Sequence, residues 1–404
     1  MIEQSQQVLL EAIKASLFGN AFSYPADTDW DAVMKEAKSQ TVMGLISSVI
    51  PVHDESSDQG KAYYMRLLYE QDKLLKLLDH HNIPCVILKG CAAAVYYPRP
   101  YLRAMGDVDF LVPRGRFDEA KKLMESNGYI RIEGKDEDDQ QGQEVRHLGY
   151  CKNGIEFELH HHFSSRGFNI DDMLEKAIDQ RVYRELNGYR FPMLPDTENG
   201  LVLLGHIHQH LTFDHLGLRQ IIDWEMYDHS VLNSGPCGGD FARIAQEIGL
   251  LELAVNVTFM CEKYLGLSIS DRSVGLQEAI KRNDPDKDEI ADQLLTDLLT
   301  CGNFGRRQLP SSECAGESIR SVTAIIENKG LYSYFRDNGL NHWGLCKKHP
   351  VLKPFAFIYG MFRFFVRGIA RMMKTGSLEE QITYIKEKNQ YDRSLGIRTK
   401  EIRK

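Results

Sequence analysis

Two aspartates, Asp107 and Asp109, stand one residue apart in the run Leu102-Arg103-Ala104-Met105-Gly106-Asp107-Val108-Asp109-Phe110-Leu111-Val112. On an extended strand alternate side chains share a face, so the two carboxylates point one way while Val108 and Phe110 point into a core. Adjacent carboxylates repel unless a cation sits between them. Mg²⁺ suits the pair, because it takes one or two carboxylates and completes its octahedron with water and substrate phosphates; Mn²⁺ can use the same oxygen ligands. The run Ile155-Glu156-Phe157-Glu158-Leu159-His160 alternates in the same way, with Glu156, Glu158 and His160 on one face. If the two strands are neighbours, a third carboxylate joins the aspartates and a two-metal site becomes possible.

A second group precedes the aspartates. Leu88-Lys89-Gly90-Cys91 lies where a short apolar run hands over to a helix. Glycine there lets a phosphate approach backbone N–H groups at the positive end of the helix. Lys89 and Arg103 can neutralise further phosphate charge, and His160, on the carboxylate face, is a candidate for binding nucleotide or acceptor. Each feature alone has an ordinary explanation in packing or solvation. In this order and context they point to metal-assisted phosphoryl chemistry.

The other histidines carry less. His160-His161-His162 cannot all ligate one ion, since neighbours on a strand face opposite sides. His206 and His210, four apart on a helix, would need a third ligand to hold Zn²⁺, and no HExxH is present. Arg219 and Asp223 have the spacing of a helical ion pair, with a second reading in which they line a cleft.

The elements that must position these groups follow from periodicity. Helices are expected over Gln6–Leu17 with Ser5 as cap, over Trp30–Ile50 capped by Asp29, and over Ala62–His80. Strands are expected at Pro84–Leu88, Val108–Val112, Tyr129–Ile132, Val145–Cys151 and Ile155–Phe163, with helices at Cys91–Tyr97 and Arg116–Asn127. Asn153-Gly154 and Asn187-Gly188 are two-residue hairpin signals, the latter joining Val182–Glu185 to Tyr189–Met193. The acidic run Asp136–Asp139 reads as a solvated loop tip. From Asp196, a candidate cap, the pattern is helical to about Lys388, with breaks at Asn233–Pro236, Arg282–Pro285 and Cys301–Glu313. The fold class is therefore α+β: a small mixed sheet flanked by helices. Three parts are expected, an N-terminal helical segment at 1–80, the sheet domain at 81–195 and a helical domain at 196–404.

The order LKG…LRAMGDVDFLV…FELHHHF…LRQIIDWEMY resembles the nucleotidyltransferase superfamily typified by DNA polymerase beta. Within it, the run is similar to the broad, mostly bacterial family described as uncharacterised nucleotidyltransferases, over about residues 80–230. The resemblance implies that Gly90 is the phosphate-loop glycine, Asp107 and Asp109 the metal pair, and Glu158 the third acid, with Glu156 in reserve. Cys91 stands where the superfamily often has Ser, and its thiol is a weaker donor. The implied activity is Mg²⁺-dependent transfer of a nucleoside monophosphate from an NTP to a hydroxyl-type acceptor, with release of pyrophosphate. The acceptor is a small molecule, a protein side chain or an RNA end. The rival reading is a non-catalytic nucleotide-sensing or scaffolding module on the same fold.

Composition bounds these readings. The 404 residues are 43% hydrophobic and 26% charged, the balance of a globular chain. Forty-nine basic against 57 acidic residues leave a charge of −8, which argues against extended nucleic acid as partner. The eight cysteines form no CxxC, so reduced thiols are expected, and no export-type signal is read at the start; the expected location is the cytoplasm. Residues 354–374 set Arg363, Arg367 and Arg371 among aromatic and aliphatic side chains. This segment is expected as a packed helix in preference to one lying on a membrane.

Overall fold

The computed structural model describes residues 2–132, 137–138, 145–164, 168–213, 216–233, 238–268, 286–302, 332, 335–336, 339–340, 343, 350–363 and 390–397. Four helices precede the sheet: α1 (Gln4–Phe18), α2 (Trp30–Ser39), α3 (Met43–Ile46) and α4 (Glu55–His80). α1 buries Val8, Leu9, Ala12 and Ile13 at three- and four-residue steps. Glu3, rather than Ser5, precedes it as the cap, and the Gln6 side chain takes the Glu3 N–H at 3.1 Å. Asp29 caps α2 as expected, accepting from the Ala32 N–H at 3.0 Å. The single helix expected over Trp30–Ile50 is broken, because Thr41 turns to φ 60°. Beside it, the buried Gln40 amide donates to the Leu298 carbonyl at 2.7 Å and accepts from the Leu218 N–H at 3.1 Å. These distant partners hold the chain out of a continuous helix.

The strands are β1 (Val86–Leu88), β2 (Val108–Leu111), β3 (Ile130–Arg131), β4 (Glu137–Asp138), β5 (Val145–Lys152), β6 (Ile155–His160), β7 (Val182–Leu186) and β8 (Tyr189–Met193). The main path of the sheet runs β3-β5-β6-β2-β1-β8-β7, with β4 off it. β2 lies parallel to β6 and antiparallel to β1, and β1 lies parallel to β8. All of β1 and β2 is buried, as a sheet covered on both faces requires. The β5–β6 and β7–β8 hairpins turn on Asn153-Gly154 (φ 52° and 71°) and Asn187-Gly188 (φ 50° and 83°). Two successive left-handed residues match the twist of the strands they join.

Short helix α5 (Gly90–Ala94) follows β1, and α6 (Phe117–Ser126) follows β2. Helix α7 (Asp171–Asp179) had no expectation from the sequence. The helical part then comprises α8 (Asp196–Phe213), α9 (Leu218–Tyr227), α10 (Gly238–Ile248), α11 (Leu251–Tyr264) and α12 (Lys287–Cys301). Asp196 lies in the first turn of α8, where its carboxylate accepts from the Tyr96 hydroxyl at 3.0 Å and faces Arg184 at 3.3 Å. Trp224, Tyr227 and Phe241 form an aromatic core among these helices.

Met1–Glu137, Val145–Arg307 and Ser394–Lys404 make one compact unit. The boundaries expected at 80 and 195 both fall inside it. Its last described residues are packed: Leu395 and Ile397 are buried, and Asn256 donates to the Ser394 carbonyl at 3.1 Å. A second unit comprises Asp138–Glu144 and Gln308–Arg393. Within it Trp343 stacks on Tyr359 and Tyr332 on Phe357, both with centroids 5.0 Å apart. Phe355, Ile358 and Phe362 of the basic aromatic segment are exposed there, while Arg367 and Arg371 lie outside the described residues. So do Asp136, Asp139 and most of the three expected helix breaks. No helix among the described residues is long and apolar enough to cross a membrane.

Candidate active site

Strand register assembles the acidic group. Asp109 is the Cα partner of Glu158 on β6 and of Leu88 on β1. Asp107 is one residue ahead of β2 and keeps to the side of Asp109, while Val108 and Phe110 are buried in the core. One carboxylate oxygen each from Asp107, Asp109 and Glu158 lies within 4.8 Å of the others. Glu156 does not join this trio.

The cluster already contains cationic partners. Lys89 Nζ stands 2.6 Å from Asp109 Oδ1. His160 Nε2 lies 2.9 Å from the same oxygen and 3.6 Å from Glu158 Oε2. Lys89 holds a left-handed backbone (φ 47°), a conformation that costs a side-chain-bearing residue free energy. It places the ammonium between the strand-helix turn and the acids. Burial alone would raise the Glu158 carboxyl, but hydrogen bonding from His160 and the Lys89 charge outweigh it and push it down to about 2. Burial likewise opposes the charged forms of Lys89 and His160, yet their acidic partners hold both above their ordinary values.

Of the residues expected at phosphate, Gly90 keeps its place at the strand-helix turn, whereas Cys91 and Arg103 are engaged inside the protein. Gly90 begins α5, and a Cβ there would meet the Asp107 carbonyl oxygen at 3.6 Å and Met105 Cε at 3.9 Å. That is ordinary contact, so crowding inside the protein does not require glycine, and the case for it rests on what approaches from outside. Cys91 is buried with its thiol against the Gln71 side chain, and burial pushes it up to about 12. Arg103 is buried too, its Nε and Nη2 each donating at 2.6 Å to the carboxylate of Asp223 on α9. The Tyr97 hydroxyl donates to the same carboxylate at 2.7 Å. Arg103 therefore ties the segment before Asp107 to α9, and the expected Arg219–Asp223 pair gives way to it. Arg219 instead approaches Gly106, its Nη1 4.0 Å from where a Cβ would stand.

Two neighbours escaped the sequence reading. The Tyr63 hydroxyl on α4 donates to the Gly106 carbonyl at 2.6 Å, bracing the turn into Asp107. His147 on β5 is the cross-strand partner of His160, and the two rings lie 5.1 Å apart. Its signal was the same alternation that grouped Glu158 with His160. His161 packs on Phe117 and His162 faces Asp171; both lie past the end of β6, their rings 4.2 Å apart, and only His160 joins the acids. His206 and His210 meet at 2.8 Å, and neither belongs to a metal-competent group among the described residues.

An α+β domain with three carboxylates converging from adjacent strands, beside a Lys-Gly turn into a helix, has the form of a nucleotidyl-transfer domain. Residues 26–266, more than half of the chain, match the family described as uncharacterised nucleotidyltransferase, and the chain belongs to that family. The match extends beyond the sheet to α2–α4 and α8–α11. No curated protein sequence matches the chain. The donor set fits a divalent cation, since three carboxylates with one lysine among them leave a negative, oxygen-rich site.

Proposed function

We propose that this chain transfers a nucleoside monophosphate from an NTP to a hydroxyl acceptor, with Mg²⁺ held by Asp107, Asp109 and Glu158 and pyrophosphate as the second product. The observation that carries this reading is the convergence of those three carboxylates within 4.8 Å. When bound, the ion supplies charge neutralisation for the triphosphate and alignment for in-line attack at the α-phosphorus. The protein does the rest. Glu158, held ionised by His160 and Lys89, is suited to ligating and is a poor base. Asp109 is engaged by Lys89 and His160 before phosphate arrives, and Asp107 is the carboxylate proposed to take the proton from the acceptor hydroxyl. Lys89 is placed to follow negative charge from Asp109 to an arriving phosphate, and the backbone at Gly90 leaves that approach open. Arg103 and Tyr63 position the Asp107 turn without touching substrate.

The acceptor class proposed is a small molecule, a protein side chain or an RNA end; the net charge of −8 disfavours extended nucleic acid. The test is incorporation of label from α-labelled NTPs, with Mg²⁺, into small-molecule, protein and RNA fractions. Incorporation by wild type and its loss in Asp107→Asn support the reading. NTP binding without transfer to any fraction would sink it in favour of a nucleotide-sensing module.

A further inference from the structure

A second group of potential ligands adjoins the carboxylate trio and shares one member with it. One atom each from His147, Glu158 and His160 lies within 4.8 Å of the others. The pairwise distances are 3.8 Å from His147 Nε2 to Glu158 Oε1 and 3.6 Å from His160 Nε2 to Glu158 Oε2. Ligands at 2.0–2.1 Å from one ion are separated by about 3.0 Å in an octahedron and about 3.4 Å in a tetrahedron. The two spacings, which end on different oxygens of Glu158, are within about 0.4 Å of the second value, and with one atom from each residue all three stay within 4.8 Å of one another. Register builds the group: His147 is directly opposite His160 across the β5–β6 hairpin, and Gly149 is opposite Glu158. With no side chain at Gly149, none projects from that site toward the ligands. Both imidazoles are buried, so an ion held here would keep few waters.

We propose that His147, Glu158 and His160 form a second metal position that takes a nitrogen-preferring divalent cation, such as Zn²⁺, in preference to Mg²⁺. The chemistry separates the two positions. Imidazole nitrogen favours Zn²⁺ and its neighbours late in the first transition row, whereas Mg²⁺ prefers carboxylate and water. The all-oxygen trio and the two-histidine group therefore select different ions while meeting at Glu158. A cation in the histidine position draws Glu158 towards it and so competes with, or bridges to, the ion in the carboxylate position. This goes beyond the transfer reading and shares Glu158 and His160 with it; to ligate the ion, His160 Nε2 exchanges its contact with Asp109 Oδ1, 2.9 Å away, for the metal.

The experiment uses the full chain with metal alone. Zn²⁺ and Mg²⁺ are titrated separately by calorimetry into wild type, His147→Gln and Asp107→Asn, and X-ray absorption is recorded on the stoichiometric Zn²⁺ complex of the wild type. The expected result is two imidazole nitrogens around zinc. His147→Gln should lose Zn²⁺ affinity by about tenfold or more, while Asp107→Asn should weaken Mg²⁺ and leave Zn²⁺ within about twofold. An all-oxygen zinc shell, or equal zinc affinity in wild type and His147→Gln, overturns the proposal. The absorption measurement needs no variant, so a substitution that unfolds the chain does not decide the matter. Neither readout involves transfer, so failure here is distinct from failure of the proposed activity.

Discussion

Neutralising Asp107 and neutralising Asp109 are unequal changes, although the sequence presents the two residues as equivalent. Asp109 is buried and matched by Lys89, so Asp109→Asn leaves an ammonium that is itself largely buried without its nearest carboxylate. We expect Asp109→Asn to lower stability by on the order of 2 kcal/mol, read by urea denaturation. Asp107→Asn should stay within about 0.5 kcal/mol of wild type, which makes it the cleaner probe of transfer. Equal stability of the two variants would mean that the Lys89 pair contributes nothing. A further residue-scale outcome concerns Asp171, which accepts from the N–H groups of Phe163 and Ser164 at 2.7 and 2.9 Å. Burial would raise its carboxyl, but hydrogen bonding from His162 and from these N–H groups brings it down to about 2. Its stabilisation is therefore present above the unfolded value of about 4 and is lost as pH falls from there through about 2. Asp171→Asn should flatten the acid limb of stability against pH between those values; an unchanged limb would contradict this. At this scale the acids were legible because alternation on a strand is a local rule. The partners of Arg103 and Lys89 were not. Arg103 meets Asp223 across 120 residues, and no local pattern reveals that its charge is already taken.

The elements that the sequence made plain are those whose cause lies within a few residues. β1, β2 and β6 are short apolar or alternating runs, and both Asn-Gly turns have the left-handed pairs that such hairpins need. The break at Thr41 was hidden because its cause is the Gln40 amide reaching Leu218 and Leu298. Cys91 is a related case: the resemblance set it where Ser often stands, and the side chain is buried against Gln71 of α4. The β5–β6 hairpin supplies a prediction at this scale. Gly154 sits at φ 71°, where a Cβ is strained. Gly154→Ala should cost about 1 kcal/mol in chemical denaturation. Because this turn sets the register that puts His147 opposite His160, Zn²⁺ affinity should fall with it, whereas a like change at Gly188 should affect stability alone. Equal effects of the two substitutions on metal binding would show that register at the Asn153-Gly154 turn is not what holds the histidines together.

At the scale of the molecule, the unit that holds the candidate site is discontinuous in sequence. It runs through Val145–Arg307 and takes in Ser394–Lys404 after the chain has built Gln308–Arg393 elsewhere. Leu395 and Ile397 are buried in that unit, and the left-handed Gly396 between them (φ 79°) lets the chain turn against Glu252. Ending the chain at Arg307 removes both side chains from the core, at roughly 1.5–3 kcal/mol each. The truncated protein should melt several degrees lower than the full chain, and a separate peptide covering 390–404 should restore part of the loss. A truncated chain as stable as the parent would show that these residues only rest on the surface. The same arrangement has a consequence in time. At synthesis rates of about 5–20 residues per second, roughly 4–17 s separate the emergence of residue 307 from that of residue 394. Throughout that interval the nascent unit carries its sheet and its acids but lacks Leu395 and Ile397, so the surface those two side chains later cover stays open to water or to any binder of unfinished chains.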